Sequence, residues 1–230
     1  MSAGGVARPV GPAGSTLSGG HRLEITRELR SEWLRLVASL RRAIQAAVEL
    51  DAPPGRLRQL ADRVAEISRE LEAHAAGRPV PLYHPSPESL AADELNAMLP
   101  FSPVMGRYNP LAPPIAVSLE EGRVVGRVRL QHAFQGAPGL VHGGVVAAIF
   151  DEVLGTAAIV KGLPGPTAKL SVDYRAPTPL ETDLRFEGEV DRVQRRRVHV
   201  KGRCTADDVV TAEAEAIFVR PSEQNGWTRL

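Results

Sequence analysis

One stretch of this 230-residue chain brings together groups capable of chemistry. It runs Gly136-Ala-Pro-Gly-Leu-Val-His142-Gly143-Gly144, then six residues to Asp151 and on to Gly155. Pro138 and Gly139 stop what precedes, and Gly143-Gly144 open a helix predicted over 143–160. On a 3.6-residue wheel Val146, Phe150, Val153, Ala157 and Val160 fall along one side, a bulky face suited to packing into a sheet. Gly144, Ala147, Ala148, Asp151, Gly155 and Ala158 fall along another. That second face is small residues plus one carboxylate, and small residues let a backbone or an extended ligand approach closely. The plain structural reading of Asp151 is a carboxylate satisfied by a neighbouring Arg or a cap. The Gly-Gly start shifts the weighing, because free backbone N–H groups at the positive end of a helix dipole stabilise an oxyanion. An oxyanion site and a carboxylate on one small-residue face together equip the segment to add water to an acyl carbon.

Geometry adds a condition. Asp151 lies eight residues beyond Gly143, roughly 12 Å along the axis at ~1.5 Å per residue, too far for both to touch one carbonyl. Two such helices, side by side and antiparallel in two subunits, bring them together. A homodimer with composite sites is therefore expected, its two-fold supplying two equivalent sites; sheet faces or N-terminal helices can extend it to a homotetramer.

Around this helix the hydrophobic period is two. Ile115 to Glu120, a turn at Glu121-Gly122, and Arg123 to His132 read as a β-hairpin. Thr167 to Arg175, Thr182 to Arg192, Arg196 to Thr205 and Val209 to Val219 follow, the last pair joined through Ala206-Asp-Asp208. Six β segments with one long helix between the second and third predict an α+β fold, one curved antiparallel sheet wrapped around that helix. Upstream the period is helical, with Ile25, Leu29, Trp33, Leu36, Leu40, Ile44 and Val48, then Leu57, Leu60, Val64, Ile67 and Leu71 after a turn at Asp51-Ala-Pro-Pro-Gly55. These predict an N-terminal helical hairpin. Ser86-Pro87 reads as the cap of a short helix over 88–98.

Composition excludes other classes. Lys plus Arg (28) nearly cancel Asp plus Glu (27), whereas binding nucleic acid through its phosphates calls for a basic excess, so no nucleic-acid partner is expected. The hairpin interleaves ten Arg with eight acidic residues between Arg22 and Glu70 and reads as a solvated, salt-bridged surface. The aromatic share of 4% leaves few platforms for stacking bases or sugars. One cysteine, Cys204, excludes an intrachain disulfide and a multi-Cys zinc site. No apolar run is read as a membrane span, and 1–20 lacks a signal-type apolar stretch, so a cytoplasmic location is expected. No metal or other cofactor is expected.

His142-Gly143-Gly144, the spaced Asp151, and the strand Thr167-Ala-Lys-Leu-Ser-Val-Asp-Tyr-Arg-Ala-Pro177 together resemble the signature of hotdog-fold acyl-CoA thioesterases of the PaaI-like, thioesterase-superfamily-member type. Phe134-Gln-Gly-Ala-Pro-Gly-Leu-Val-His142 is most similar to the branch with a helical N-terminal extension. The resemblance covers about 98–220. It implies the hotdog domain over 98–220; outside it, composition and periodicity predict a tail over 1–20, the hairpin extension over 21–77, a linker and short helix over 78–97 and a C-terminal tail over 221–230.

By this resemblance Asp151 is nucleophile or general base on an acyl-CoA thioester, Gly143 supplies the oxyanion N–H, His142 shapes the helix entry, and Thr167 orients the attacking water. Many relatives carry Asn six residues before the His. Here that position is Gly136, which leaves the backbone, or Gln135 beside it, to support the carbonyl or water. Gly144 and Ala168 complete the expected substrate-binding set.

His-Gly-Gly alone also resembles the oxyanion loop of α/β-hydrolases, but the chain has no Gly-x-Ser-x-Gly elbow. Glu152 lies about 100° around the helix from Asp151 and reads as a surface or interface ion pair. His199 and Cys204 sit in alternating strands and read as structural. His132, near the loop, is at most a pocket liner. Arg195-Arg-Arg197 reads as a charged turn, with contact to coenzyme A phosphates as the alternative. Two rival functions stand beside hydrolysis. One is a hotdog domain that senses acyl-CoA without cleaving it. The other is a hydratase or dehydratase, which needs a different Asp–His pairing on the helix.

Overall fold

The alternating segments form six strands in the computed structural model, which describes residues 27–75, 77 and 95–221. They are β1 (Ala116–Glu120), β2 (Arg123–Arg129), β3 (Thr167–Tyr174), β4 (Asp183–Gln194), β5 (Arg197–Ala206) and β6 (Val209–Val219). All neighbours pair antiparallel, in the order β1-β2-β4-β5-β6-β3. Two tight hairpins rest on residues that accept the left-handed region. Glu121 and Gly122 have φ of 49° and 80°, and Asp207 and Asp208 have φ of 46° and 67°, as two-residue turns matched to strand twist require. β2 ends earlier than its pattern suggests, since His132–Phe134 winds into a 3-10 turn.

The sheet wraps the long central helix α3 (Gly143–Val160). Its bulky side is wider than the wheel predicts. Ile149, Leu154 and Thr156 are buried along with Val146, Phe150, Val153 and Ala157, and Ala158 is drawn in too. Helix and strands join in one core, with Phe150 edge-on to Phe186 at 5.1 Å between ring centroids. By length and composition α3 could cross a membrane, with 18 residues and mean hydropathy 1.7, contrary to the expectation that no run qualifies. The sheet covers one side of it, with 44% of these residues buried.

The close seat of α3 depends on three glycines in adjacent strands. A Cβ at Gly126 (β2) would lie 2.8 Å from Ile115 and 3.1 Å from Val153. One at Gly188 (β4) would lie 3.1 Å from Leu154, and one at Gly202 (β5) 2.8 Å from Leu154 and 2.2 Å from the Glu187 carbonyl. Gly188 and Gly202 face each other across the ladder. The result is a trough into which Val153 and Leu154 sink, fixing the height of α3 above the sheet.

The N-terminal pattern gives α1 (Arg27–Val48) and α2 (Pro54–Ala73). α1 is fastened to the body. Trp33 packs on Phe101 and Tyr108 at 5.8 and 5.6 Å, and the Arg41 guanidinium donates to the carbonyls of Gly106 and Asn109. Glu49 meets His132 at 2.6 Å, which makes His132 a tether for this helix and not a pocket liner. The tail over 1–20, residues 78–94 of the linker and short helix, and 222–230 lie outside the described residues. The described end of the short helix, Leu95–Met98, is a 3-10 turn. Its Asn96 is buried and donates to the carbonyls of Met105 and Ile115.

Candidate active site

The central polar contact on the open side of α3 joins two of the residues singled out above. Thr167 Oγ1 donates to Asp151 Oδ1 at 2.8 Å. Strict alternation back from the half-buried Leu170 and Val172 would turn Thr167 away from α3. A β-bulge prevents this: Thr167 pairs with Phe218 and Lys169 with Ile217, leaving Ala168 as the extra residue. The bulge re-aims Thr167 onto the inner face of the sheet. Ala168 thus acts through backbone geometry, and its own side chain is exposed.

The helix start is built from the loop before it. Val141 N–H donates to the Thr178 carbonyl, Leu180 N–H to Gly139, and His142 N–H to Phe134. His142 is the N-cap, and its Nδ1 accepts from Gly144 N–H at 3.0 Å. That geometry assigns the ring proton to Nε2. It also spends the Gly144 amide, so Gly143 N–H is the helix-start donor with no partner among the described residues. Tyr174, at the end of β3, donates from its hydroxyl to the Gly143 carbonyl at 2.7 Å. Sequence reasoning passed over this tyrosine, although a phenol ending the strand of Thr167 was the available signal.

Two expected binding residues have structural work. Gln135 accepts through its side-chain oxygen from Gly139 N–H at 3.1 Å and braces the loop. At Gly136 a Cβ would sit 2.9 Å from His142 Cα, so the missing asparagine is explained by close packing of the loop on the cap. Gly136→Asn is accordingly expected to destabilise the fold by about 1–3 kcal/mol. At roughly 2–4 °C per kcal/mol for a chain of this size, a thermal melt reads this directly, and an unchanged Tm contradicts it.

Glu152 forms no ion pair within the chain among the described residues. It is half-buried and accepts from the Ser102 hydroxyl at 2.5 Å, with no cation beside it among the described residues. Burial pushes its carboxyl above the ordinary value, against the Ser102 bond, and the neighbouring Asp151 charge pushes the same way. A raised pKa in the folded state means protonated Glu152 favours folding. That contribution is complete below the ordinary Glu value and is lost as pH rises through the raised one. Glu152→Gln should therefore gain stability relative to the parent at pH 7 and lose that gain near pH 4. Urea midpoints at the two pH values test it.

Elsewhere, Cys204 is buried with its thiol pushed up to about 11 by desolvation, and His199 lies beside Arg192; both are structural. Arg195–Arg197 forms the β4–β5 turn, with Arg195 at φ 56° and Arg196 donating to the Arg220 carbonyl. Through Val198, Phe218 and Thr167, paired across β5, β6 and β3, this turn lies at the end of the sheet that carries Thr167. An open groove of about 460 Å³ on the far face of the sheet is crossed by ion pairs, among them Arg203–Glu187 and Arg123–Glu189. Among the described residues no cluster of His, Cys, Asp or Glu could hold a metal ion.

A six-stranded antiparallel sheet enclosing one long helix, with a lone Asp on the helix's open side, defines the hotdog class. The thioesterase superfamily model matches residues 138–213, a span that includes Gly143, Asp151 and Thr167. The crystal structure of a thioesterase superfamily protein superimposes with TM-score 0.70 at 32% identity, covering 81% of this chain and 90% of that one. The chain belongs to the thioesterase superfamily. It is also 34% identical over 90 residues to acyl-coenzyme A thioesterase THEM4 of Mus musculus, covering 37% of this chain and 38% of that protein. The Xenopus laevis THEM4 is 31% identical over 88 residues, with 37% and 40% covered. The chain thus spans about two fifths of the length of the curated relatives it matches.

Proposed function

We propose that this chain hydrolyses acyl-CoA thioesters to the free acid and coenzyme A. The observation that carries the reading is the Thr167–Asp151 hydrogen bond on the open side of α3. With Oδ1 held by the threonine, Oδ2 of Asp151 is left to take a proton from water as general base, or to attack as nucleophile. In the general-base route the water oxygen bonds to the thioester carbon and its proton passes to Asp151. The carbonyl oxygen becomes an oxyanion, received by a Gly143 N–H. The C–S bond then breaks, and the thiolate leaves with a proton. The roughly 12 Å between Gly143 and Asp151 along one helix requires that amide to come from a second copy, so the proposed unit is a homodimer. Tyr174 holds the Gly143 carbonyl, and His142 holds the adjoining Gly144 amide. The Arg195–Arg197 turn offers positive charge for the phosphates of coenzyme A.

Thiol release from acyl-CoAs of graded aliphatic length and from aromatic acyl-CoAs tests this reading. Saturable release, with one acid formed per thiol, is the expected result. Binding without release from any member of the series would make the protein a sensor and overturn the hydrolase.

A further inference from the structure

We propose that α2 is an assembly element that pairs antiparallel with α2 of a second copy. Its apolar residues Leu57, Leu60, Val64, Ile67 and Leu71 repeat at spacings of three and four, the seam of a two-stranded coil. No residue of α2 is buried. Leu57, Val64, Ile67 and Leu71 are 43, 59, 51 and 40% exposed, and only Leu60 is half-buried. The stripe therefore has room for a partner helix.

Charge selects the partner. The first half of α2 carries Arg56, Arg58 and Arg63 against Asp62, and the second half carries Glu66, Glu70 and Glu72 against Arg69, so the two halves have opposite net charge. This is the unfavourable order for a lone helix, whose dipole prefers anions at its start and cations at its end. Among the described residues Arg58, Glu66, Glu70 and Glu72 form no ion pair, and the Arg56 guanidinium reaches only Gln59. A second α2 running the other way about a two-fold sets each arginine end against the glutamates of its copy. In the same stroke the two apolar seams close on each other. A parallel partner would set like ends together.

The test uses the full chain with Arg56→Lys and a carbodiimide, which joins amine to carboxylate at contact distance. Positions 56 and 70 of one helix are about 21 Å apart at ~1.5 Å per residue, so a link between them must join two copies. Mixed isotopically light and heavy chains should yield a denaturant-resistant dimer with position 56 linked to Glu70 or Glu72 across copies. Val64→Glu with Ile67→Glu should lower that product on the order of tenfold or more, since each would bury a charge in the seam. Arg56→Glu alone should weaken association in sedimentation, and Arg56→Glu with Glu70→Arg should restore it, with helicity by circular dichroism retained throughout. Thiol release is measured beside each variant, which separates failure of this pairing from failure of the catalytic reading. A monomeric parent chain, links confined to single chains, or undiminished linking in the Val64/Ile67 variant overturns the proposal and leaves the stripe to another partner.

Discussion

Asp151→Asn is expected to lower kcat for thiol release by roughly 10²–10⁴-fold, the range set by removing a positioned general base. Asparagine keeps the shape of the side chain and an oxygen that can still accept from Thr167. The fold and any oligomer should therefore survive, with unchanged sedimentation and melting. What disappears is the charge that, in the proposed reaction, draws a proton from water or attacks the acyl carbon, and uniform substrate binding is left intact. The loss should consequently fall on kcat and not on KM. Thr167→Ala should produce a smaller loss, because Asp151 remains ionisable and only its orientation is freed, and Thr167→Ser should recover most of it. Normal turnover by purified Asp151→Asn would make the assigned chemistry wrong.

Gly202→Val is expected to be the most damaging single change to the scaffold, costing about 3 kcal/mol or more. A Cβ there meets the Glu187 carbonyl of the paired strand at 2.2 Å and Leu154 of α3 at 2.8 Å. The first obstacle is backbone, so no side-chain rotation relieves it. β4 and β5 would have to part, or α3 would have to rise from the trough. Either movement displaces Asp151, which sits one helical turn from Leu154, relative to Thr167 on the sheet. Stability and thiol release should fall together, unlike the outcome at Asp151, where release alone falls. Denaturant unfolding measured beside kcat separates the two patterns, and a Gly202→Val protein of parental stability would remove the trough from the account.

Much of this architecture was legible from pattern. The span of α3 and its helix-start residues follow from Gly143-Gly144 and a 3.6-residue apolar period, and β6 follows from the alternation over Ala212–Phe218. Both signals are local: side-chain direction repeats with the backbone, so a face can be read without knowing what covers it. Glu152 illustrates the opposite case. Helical phase placed it correctly about 100° from Asp151, yet its partner is Ser102, fifty residues upstream, and only chain folding decides which loop arrives there.

The sequence by itself determined the class of fold and the helix carrying Asp151, and it set a carboxylate and a glycine helix start on that one helix. Tertiary structure alone decided which way Thr167 faces, because a bulge at Ala168 breaks the period from which facing is inferred. It also decided that Gly136 packs against His142, that Tyr174 holds Gly143, and that Gly126, Gly188 and Gly202 form one trough. The physical reason is common to all of these. Periodicity reports the local direction of a side chain, while close approach, hydrogen-bond partners and strand register depend on segments that meet only after the sheet has wrapped the helix.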